Sequence, residues 1–194
     1  MGDGMNDKQK VNKNAGFSMI ELIVVITIMA LMVGGSFVGI GMLALGDSKK
    51  AVKNISSQLE ELRTNTLSVA GSWRAEIYKK DNSYRIDIIK KKKDLSEELV
   101  SSTAIGSKIT ILYKDSESSE KEVNDNNRLV ISFLQGSGKV DQVKLINADL
   151  SETNLFGTSS TTSKTGDIIV KVKSSTVSNS LTLWYLTGKL TADY

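Results

Sequence analysis

Residues 16–46 read GFSMIELIVVITIMALMVGGSFVGIGMLALG, and this stretch decides the architecture of the chain. From Leu22 to Gly46 it contains no charged residue. A helix of this length extends about 37 Å, more than the roughly 30 Å of a bilayer core. The block is apolar on every side, unlike an amphipathic helix that packs on one face. It predicts a single helix that spans a membrane.

The charges around this block predict its orientation. Lys8, Lys10 and Lys13 lie shortly before it, and Lys49 and Lys50 follow it. Lysine on the N-terminal side favours a cytoplasmic N-terminus, with the rest of the chain outside, although the lysines after the block reduce the asymmetry.

Three interpretations of the block compete. Ala44-Leu45-Gly46 places small residues at 44 and 46, which fits a conventional signal peptide that is removed after the block, and the block also fits a plain membrane anchor. The third interpretation depends on Glu21, because a carboxylate inside an apolar segment is by default a functional residue with a partner. Ser18 and Glu21 also form the S-x-x-E pattern of a capping box, and an acidic residue is favourable at the start of a helix.

The string KNAGFSMIEL at residues 13–22 resembles the class III signal of type IV prepilins: a short polar leader with lysine, then Gly, Phe, and Glu at the fifth position before an apolar run. The resemblance implies that a prepilin peptidase cuts between Gly16 and Phe17 and methylates the new amine of Phe17. It also implies that Glu21 directs assembly by pairing with the Phe17 amine of a neighbouring subunit. The implied partners are other pilin or pseudopilin subunits, a membrane-embedded assembly platform and the lipid bilayer. The resemblance further implies that the chain first crosses the cell membrane once and is later assembled into a filament outside the cytoplasm.

Beyond the block, apolar residues recur at spacings of three and four, the period of an amphipathic helix. Gly71 is a plausible stop, so the spacing predicts one helix from about residue 18 to about residue 70. The recurring residues are Val52, Ile55, Leu59, Leu62, Thr66 and Val69.

After residue 71 the pattern changes to short strands with turn signals. Two runs flank Asp81-Asn82-Ser83 and predict a hairpin. Six or seven antiparallel strands on a helix predict an α+β fold of pilin-like shape, in which the second half of the helix packs on a β-sheet head. The polar segments 90–107, 115–127 and 151–166 are predicted to be loops. The predicted strands are residues 73–79, 84–89, 108–114, 128–134, 139–146, 167–173 and 181–186, with a last run to Tyr194.

The predicted organisation has four parts: a leader at 1–16, a membrane and filament-core helix at 17–46, an amphipathic helix at 47–71 and a head at 72–194. Three head features resemble the H-type minor pseudopilins and their pilus relatives. They are Arg63 near the helix end, the segment 131–138, and the closing segment 181–190 with its Thr-Gly-Lys turn.

The composition excludes many kinds of chemistry. The 194 residues include no Cys and no His, which removes thiol nucleophiles, imidazole bases and the usual zinc, haem and iron–sulfur sites. No nucleophile elbow or phosphate loop is present, so we expect no enzymatic activity, no cofactor and no metal site. Asp125 and its asparagine neighbours lack the alternating spacing of a calcium loop and predict a polar turn.

Four consecutive lysines form the one marked charge run: Lys90, Lys91, Lys92 and Lys93. Such a run is usually a solvated strand end, whereas contact with DNA phosphates is the alternative. The net charge of +3 gives no bulk electrostatic attraction to nucleic acid. The first hypothesis is therefore a minor pilin or pseudopilin of a type IV pilus or a type II secretion pseudopilus. The alternatives are a DNA-binding minor pilin of a competence system, and an ordinary anchored or secreted globular protein.

Overall fold

The computed structural model describes residues 17–115, 119–155, 165–173 and 176–194, without the side chains of residues 34–44. Gly16, at the predicted cleavage site, and most of the predicted loop 151–166 lie outside the described residues. Contacts divide the chain into two compact units, Met1–Gly39 and Ile40–Tyr194.

The helix α1 runs from Met19 to Ser68, which confirms the predicted extent. It begins where the Leu22 amide donates to the Ser18 carbonyl at 3.2 Å. It ends before Gly71, whose φ of 138° lies in a region that side chains disfavour and glycine tolerates. In the parts of the chain that are described, no helix is both long and apolar enough to cross a membrane.

The head contains two antiparallel sheets. One has the strand order β3-β2-β1-β6-β7-β8, and the other has the order β11-β10-β9-β4-β5. The described strands are β1 (Ser72–Lys80), β2 (Ser83–Lys91), β3 (Glu97–Gly106), β4 (Ile109–Asp115), β5 (Lys121–Val123), β6 (Asn127–Phe133), β7 (Val140–Asn147), β8 (Glu152–Asn154), β9 (Thr165–Val172), β10 (Ser178–Trp184) and β11 (Lys189–Asp193).

The β1–β2 hairpin forms where the sequence predicts it. Lys80 pairs with Ser83, which leaves Asp81 and Asn82 as a two-residue turn. Both have positive φ, 50° and 61°, as a type I′ turn requires. Asp and Asn tolerate this conformation better than other side chains, so the turn residues fix the register of the pair.

One hydrophobic core joins the second half of α1 to both sheets, which confirms the α+β fold. Its buried members come from α1 and from strands of both sheets. The helix supplies the fully buried residues Ala51, Val52, Ile55, Leu59 and Leu62, at the predicted spacing.

The predicted strand number was too low, since the described residues contain eleven strands in two sheets. Each missed strand, β3, β5 or β8, lies in a segment predicted to be a loop. β3 is an edge strand that pairs with β2 alone, and its first four residues are exposed. Two register shifts interrupt that pairing. Its sequence EELVSSTAIG therefore lacks the apolar alternation of a half-buried strand.

Arg63 ties α1 to a turn of each sheet. Its Nε donates to the Gly138 carbonyl at 3.2 Å, and its Nη2 donates to the Thr187 carbonyl at 2.9 Å. Gly138 and Gly188 both have positive φ, 65° and 64°. A Cβ on Gly188 would lie 1.9 Å from the Gly138 carbonyl oxygen, so the two turns can touch only because residue 188 is glycine. Arg63 thus contacts segments 131–138 and 181–190 through Gly138 and Thr187.

Candidate functional site

The N-terminal motif forms half of a capping box. The Glu21 amide donates to Ser18 Oγ at 3.2 Å, which satisfies an amide in the first turn of α1. Within the described residues, nothing pairs with the Glu21 carboxylate, so the reciprocal half of the box is not formed. The acidic group remains available to a cation from another molecule, at the helix end where a negative charge is favoured.

The residues around Glu21 present an apolar surface. Phe17 is 79% exposed, and each large apolar side chain from Met19 to Val33 is at least 43% exposed. A continuous apolar surface of this kind marks contact with lipid or with other protein. Thr27 adds little polarity, because its hydroxyl donates to the Ile23 carbonyl at 2.7 Å within the helix.

The lysine run lies at the end of β2 and in the turn that follows. Lys90 Nζ lies 5.0 Å from the centroid of the Trp73 ring, a cation–π distance. Lys92 Nζ forms an ion pair with Glu98 at 3.2 Å. In the β2–β3 register Lys90 faces Glu98 and Lys91 faces Glu97, so carboxylates lie beside the run.

Arg74 binds Glu97 through both terminal nitrogens at 2.7 Å. Hydrogen bonds from Arg74 lower the pKa of the Glu97 carboxyl, and the bond to Glu97 raises the pKa of Arg74. Glu97 is therefore charged at neutral pH and reduces the positive potential that the lysine run offers to phosphate. Contact of this run with DNA remains a prediction.

The asparagine-rich segment 124–127 forms a compact turn. The Asn126 amide donates to Asn124 Oδ1 at 2.8 Å, and the Asn124 amide donates to Asn127 Oδ1 at 3.0 Å. The Asp125 carboxylate pairs with Lys79 Nζ at 2.6 Å. In the described part of the chain, no group of three acidic, Cys or His residues is arranged to hold a metal ion.

The outer face of the first sheet carries a polar cluster that the sequence analysis missed. Glu76 is 95% buried and pairs with Arg74 at 2.7 Å and with Arg128 at 3.0 Å. Beside it the Tyr78 hydroxyl donates to Asp87 at 2.8 Å, and burial is the main cause of the raised pKa of Tyr78. All of these residues except Arg74 line a cleft of about 380 Å³. The alternation of Arg74, Glu76 and Tyr78 along β1 is the signal that marks this polar face.

A second buried polar group lies in the other sheet. The hydroxyls of Tyr113 and Tyr185 bond to each other, and Tyr185 donates to the Asp115 carboxylate at 3.5 Å. Burial raises the pKa of both tyrosines well above the usual range. A Cβ on Gly166 would lie 2.0 Å from the Tyr113 hydroxyl oxygen, so glycine makes room for this pair.

Comparisons with known proteins bear on the N-terminal segment. Residues 11–37 match the family model described as a prokaryotic N-terminal methylation motif. No curated protein and no solved structure matches the chain. The matched range contains Gly16, Phe17 and Glu21, and it identifies a prepilin-type signal of the kind found in type IV pilin-like proteins.

Proposed function

We propose that this chain, which carries a prepilin-type signal on a pilin-like α+β fold, is a minor pilin or pseudopilin. It serves a type IV pilus or a type II secretion pseudopilus, as a structural rather than catalytic subunit. The observation that carries the proposal is the exposed apolar start of α1, residues 19–33, with Phe17 just before it and Glu21 in its first turn. It is held in the membrane by the uncharged block 22–46 before assembly, with the N-terminus cytoplasmic and the head outside.

Glu21 is the residue that directs assembly. Cleavage after Gly16 creates a cationic amine on Phe17, four residues from the carboxylate. In a packed filament the Glu21 carboxylate of one subunit pairs with the Phe17 amine of the next, and both groups lose water. A desolvated charge without its partner is strongly unfavourable, so the pair fixes the register of an incoming subunit. The free carboxylate of Glu21 supports this role.

Processing is tested by the intact mass of the protein recovered from membranes. We expect the loss of residues 1–16 and the gain of one methyl group on Phe17. An N-terminus at Asp47 would instead identify a conventional signal peptide, and this would refute the proposal.

Assembly is tested with Glu21→Gln, which keeps the size of the side chain and removes its charge. Loss of one partner from a desolvated pair costs about 2–5 kcal/mol, whereas the backbone amide of residue 21 keeps its hydrogen bond to Ser18 Oγ. We expect the variant to be cleaved and to remain in the membrane, but to be at least tenfold depleted from sheared filaments. Glu60→Gln is the matched control, because Glu60 is an exposed acid of the same helix. Equal amounts of both variants in filaments would show that Glu21 has no assembly role.

A further inference from the structure

Lysines gather where α1 begins to pack on the head. Lys49 and Lys50 lie on the helix, directly before the fully buried Ala51. The β3–β4 turn brings Lys108 to this end of the head, and the Lys173 amide donates to the Lys108 carbonyl at 3.0 Å. We call Lys49, Lys50, Lys108 and Lys173 the lysine collar.

The collar borders a cleft. Asp47 and Lys50 of α1 form one wall, residues 104–109 form the other, and the enclosed volume is about 320 Å³. The two walls are held together, since Asn54 Nδ2 donates to the Ala104 carbonyl at 3.4 Å. Lys50 and Lys108 thus approach one space from two different elements.

The charge of this end of the head is positive. In the described residues Lys50, Lys108 and Lys173 have no ion-pair partner, whereas Lys144 and Lys171 of the strands pair with glutamates. Lys49 Nζ lies 5.8 Å from the centroid of the Tyr194 ring. Among the residues that line the cleft, two are lysines and one, Asp47, is an acid.

We propose that the lysine collar binds the phosphate of anionic phospholipid headgroups. The inference rests on the proposed membrane anchoring of the block 22–46. Lys49 and Lys50 follow that block by three and four residues, which is about 5 Å along a helix, and this distance places them at headgroup level. Clusters of lysine directly beside a membrane segment attract anionic lipid. A phosphate in this cleft would contact Lys50 on one side and Lys108 on the other. The negative charge of Asp47 disfavours deep burial of the phosphate, so we expect it to bind near the surface.

The test uses the full chain in nanodiscs of phosphatidylcholine, with or without one third phosphatidylglycerol. Lysine reactivity is measured by acetylation and mass spectrometry. We expect the anionic lipid to lower the reactivity of Lys50 and Lys108 at least threefold, with recovery in high salt. Lys139 and Lys189 are internal controls, because they adjoin Gly138 and Gly188 at the Arg63 junction, about 20 Å along α1 from Lys50.

Variants separate binding from a general surface effect. Lys50→Gln with Lys108→Gln should abolish the protection of Lys173, whereas Lys139→Gln with Lys189→Gln should preserve it. Equal reactivity of the collar in the two lipid compositions would overturn the inference. If inorganic phosphate protects the collar equally well in phosphatidylcholine nanodiscs, the collar binds free phosphate, and the proposal that it recognises a lipid headgroup is wrong. Failure of the chain to insert into either nanodisc would refute the proposed anchoring itself.

Discussion

Gly188→Ala tests whether the contact between two turns holds the head together. The new Cβ would lie 1.9 Å from the Gly138 carbonyl oxygen, and real Cβ contacts are essentially never shorter than 3.0 Å. The turns must separate by about 1.1 Å, the difference between these distances. Arg63 bonds both turns, so this separation breaks at least one of its two hydrogen bonds.

The expected loss of stability has two parts. Alanine in the left-handed conformation costs about 1 kcal/mol, and loss of a hydrogen bond to a charged group costs about 2 kcal/mol. For a chain of this size 1 kcal/mol corresponds to about 2–4 °C in the melting temperature. Gly188→Ala should therefore lower the melting temperature of the full chain by about 6–12 °C.

Gly136→Ala is the matched control. Gly136 also has positive φ, 83°, but a Cβ there would meet nothing within 4 Å. It should carry only the conformational cost, about 1 kcal/mol and about 2–4 °C. Circular dichroism of both variants in detergent makes the comparison. If the two variants melt at the same temperature, the turn contact and its Arg63 bonds contribute nothing, and the reasoning is wrong.

Three further outcomes are expected. If the lysine run contacts DNA, replacing Lys90–Lys93 by Gln should reduce the slope of log binding constant against log salt concentration by about 0.9 for each lost phosphate contact. Because neighbouring carboxylates compete with phosphate for these lysines, we expect the slope to change by less than about two in filter-binding titrations. In the unfolded chain tyrosines lose their protons above about pH 10, whereas Tyr113 and Tyr185 keep theirs in the folded state because their pKa values are raised. The free energy of unfolding, measured with urea, should therefore fall as the pH rises above about 10. Tyr113→Phe should make this decrease with pH smaller. Glu76→Gln should lower the free energy of unfolding by about 2 kcal/mol in the same assay, because Arg128 loses its carboxylate partner and Arg74 keeps only Glu97. An unchanged free energy of unfolding would show that the cluster does not stabilise the fold.

The sequence predicted the elements whose signals are local. The apolar period of α1 and the Asp81-Asn82 turn each depend on neighbours within a few positions, so both were found at nearly the correct bounds. β3 was missed because its side chains are mostly exposed, and it pairs only at one edge. An exposed edge strand has no period-two apolar pattern, so its sequence is that of a polar loop.

The difference between local signals and contacts distant in sequence also explains which features of the candidate sites were predicted. The Ser18 cap was predicted from a spacing of three residues, and the structure confirms it. The packing of Lys90 on Trp73 depends on the β1–β2 register, in which these residues are direct partners. The burial of Glu76 by Arg128 requires pairing of β1 with β6. Such contacts depend on strand pairing, which residue spacing alone does not define.

The bonds of Arg63 also determine when the head can close during biosynthesis. They join positions separated by 75 and 124 residues, and the second is made to the turn before the last strand. A ribosome synthesises α1 first, so the helix is complete while its second anchoring point does not yet exist. Contacts this distant along the chain form late and slowly. The nascent head therefore cannot complete its Arg63 contacts until residue 187 has emerged.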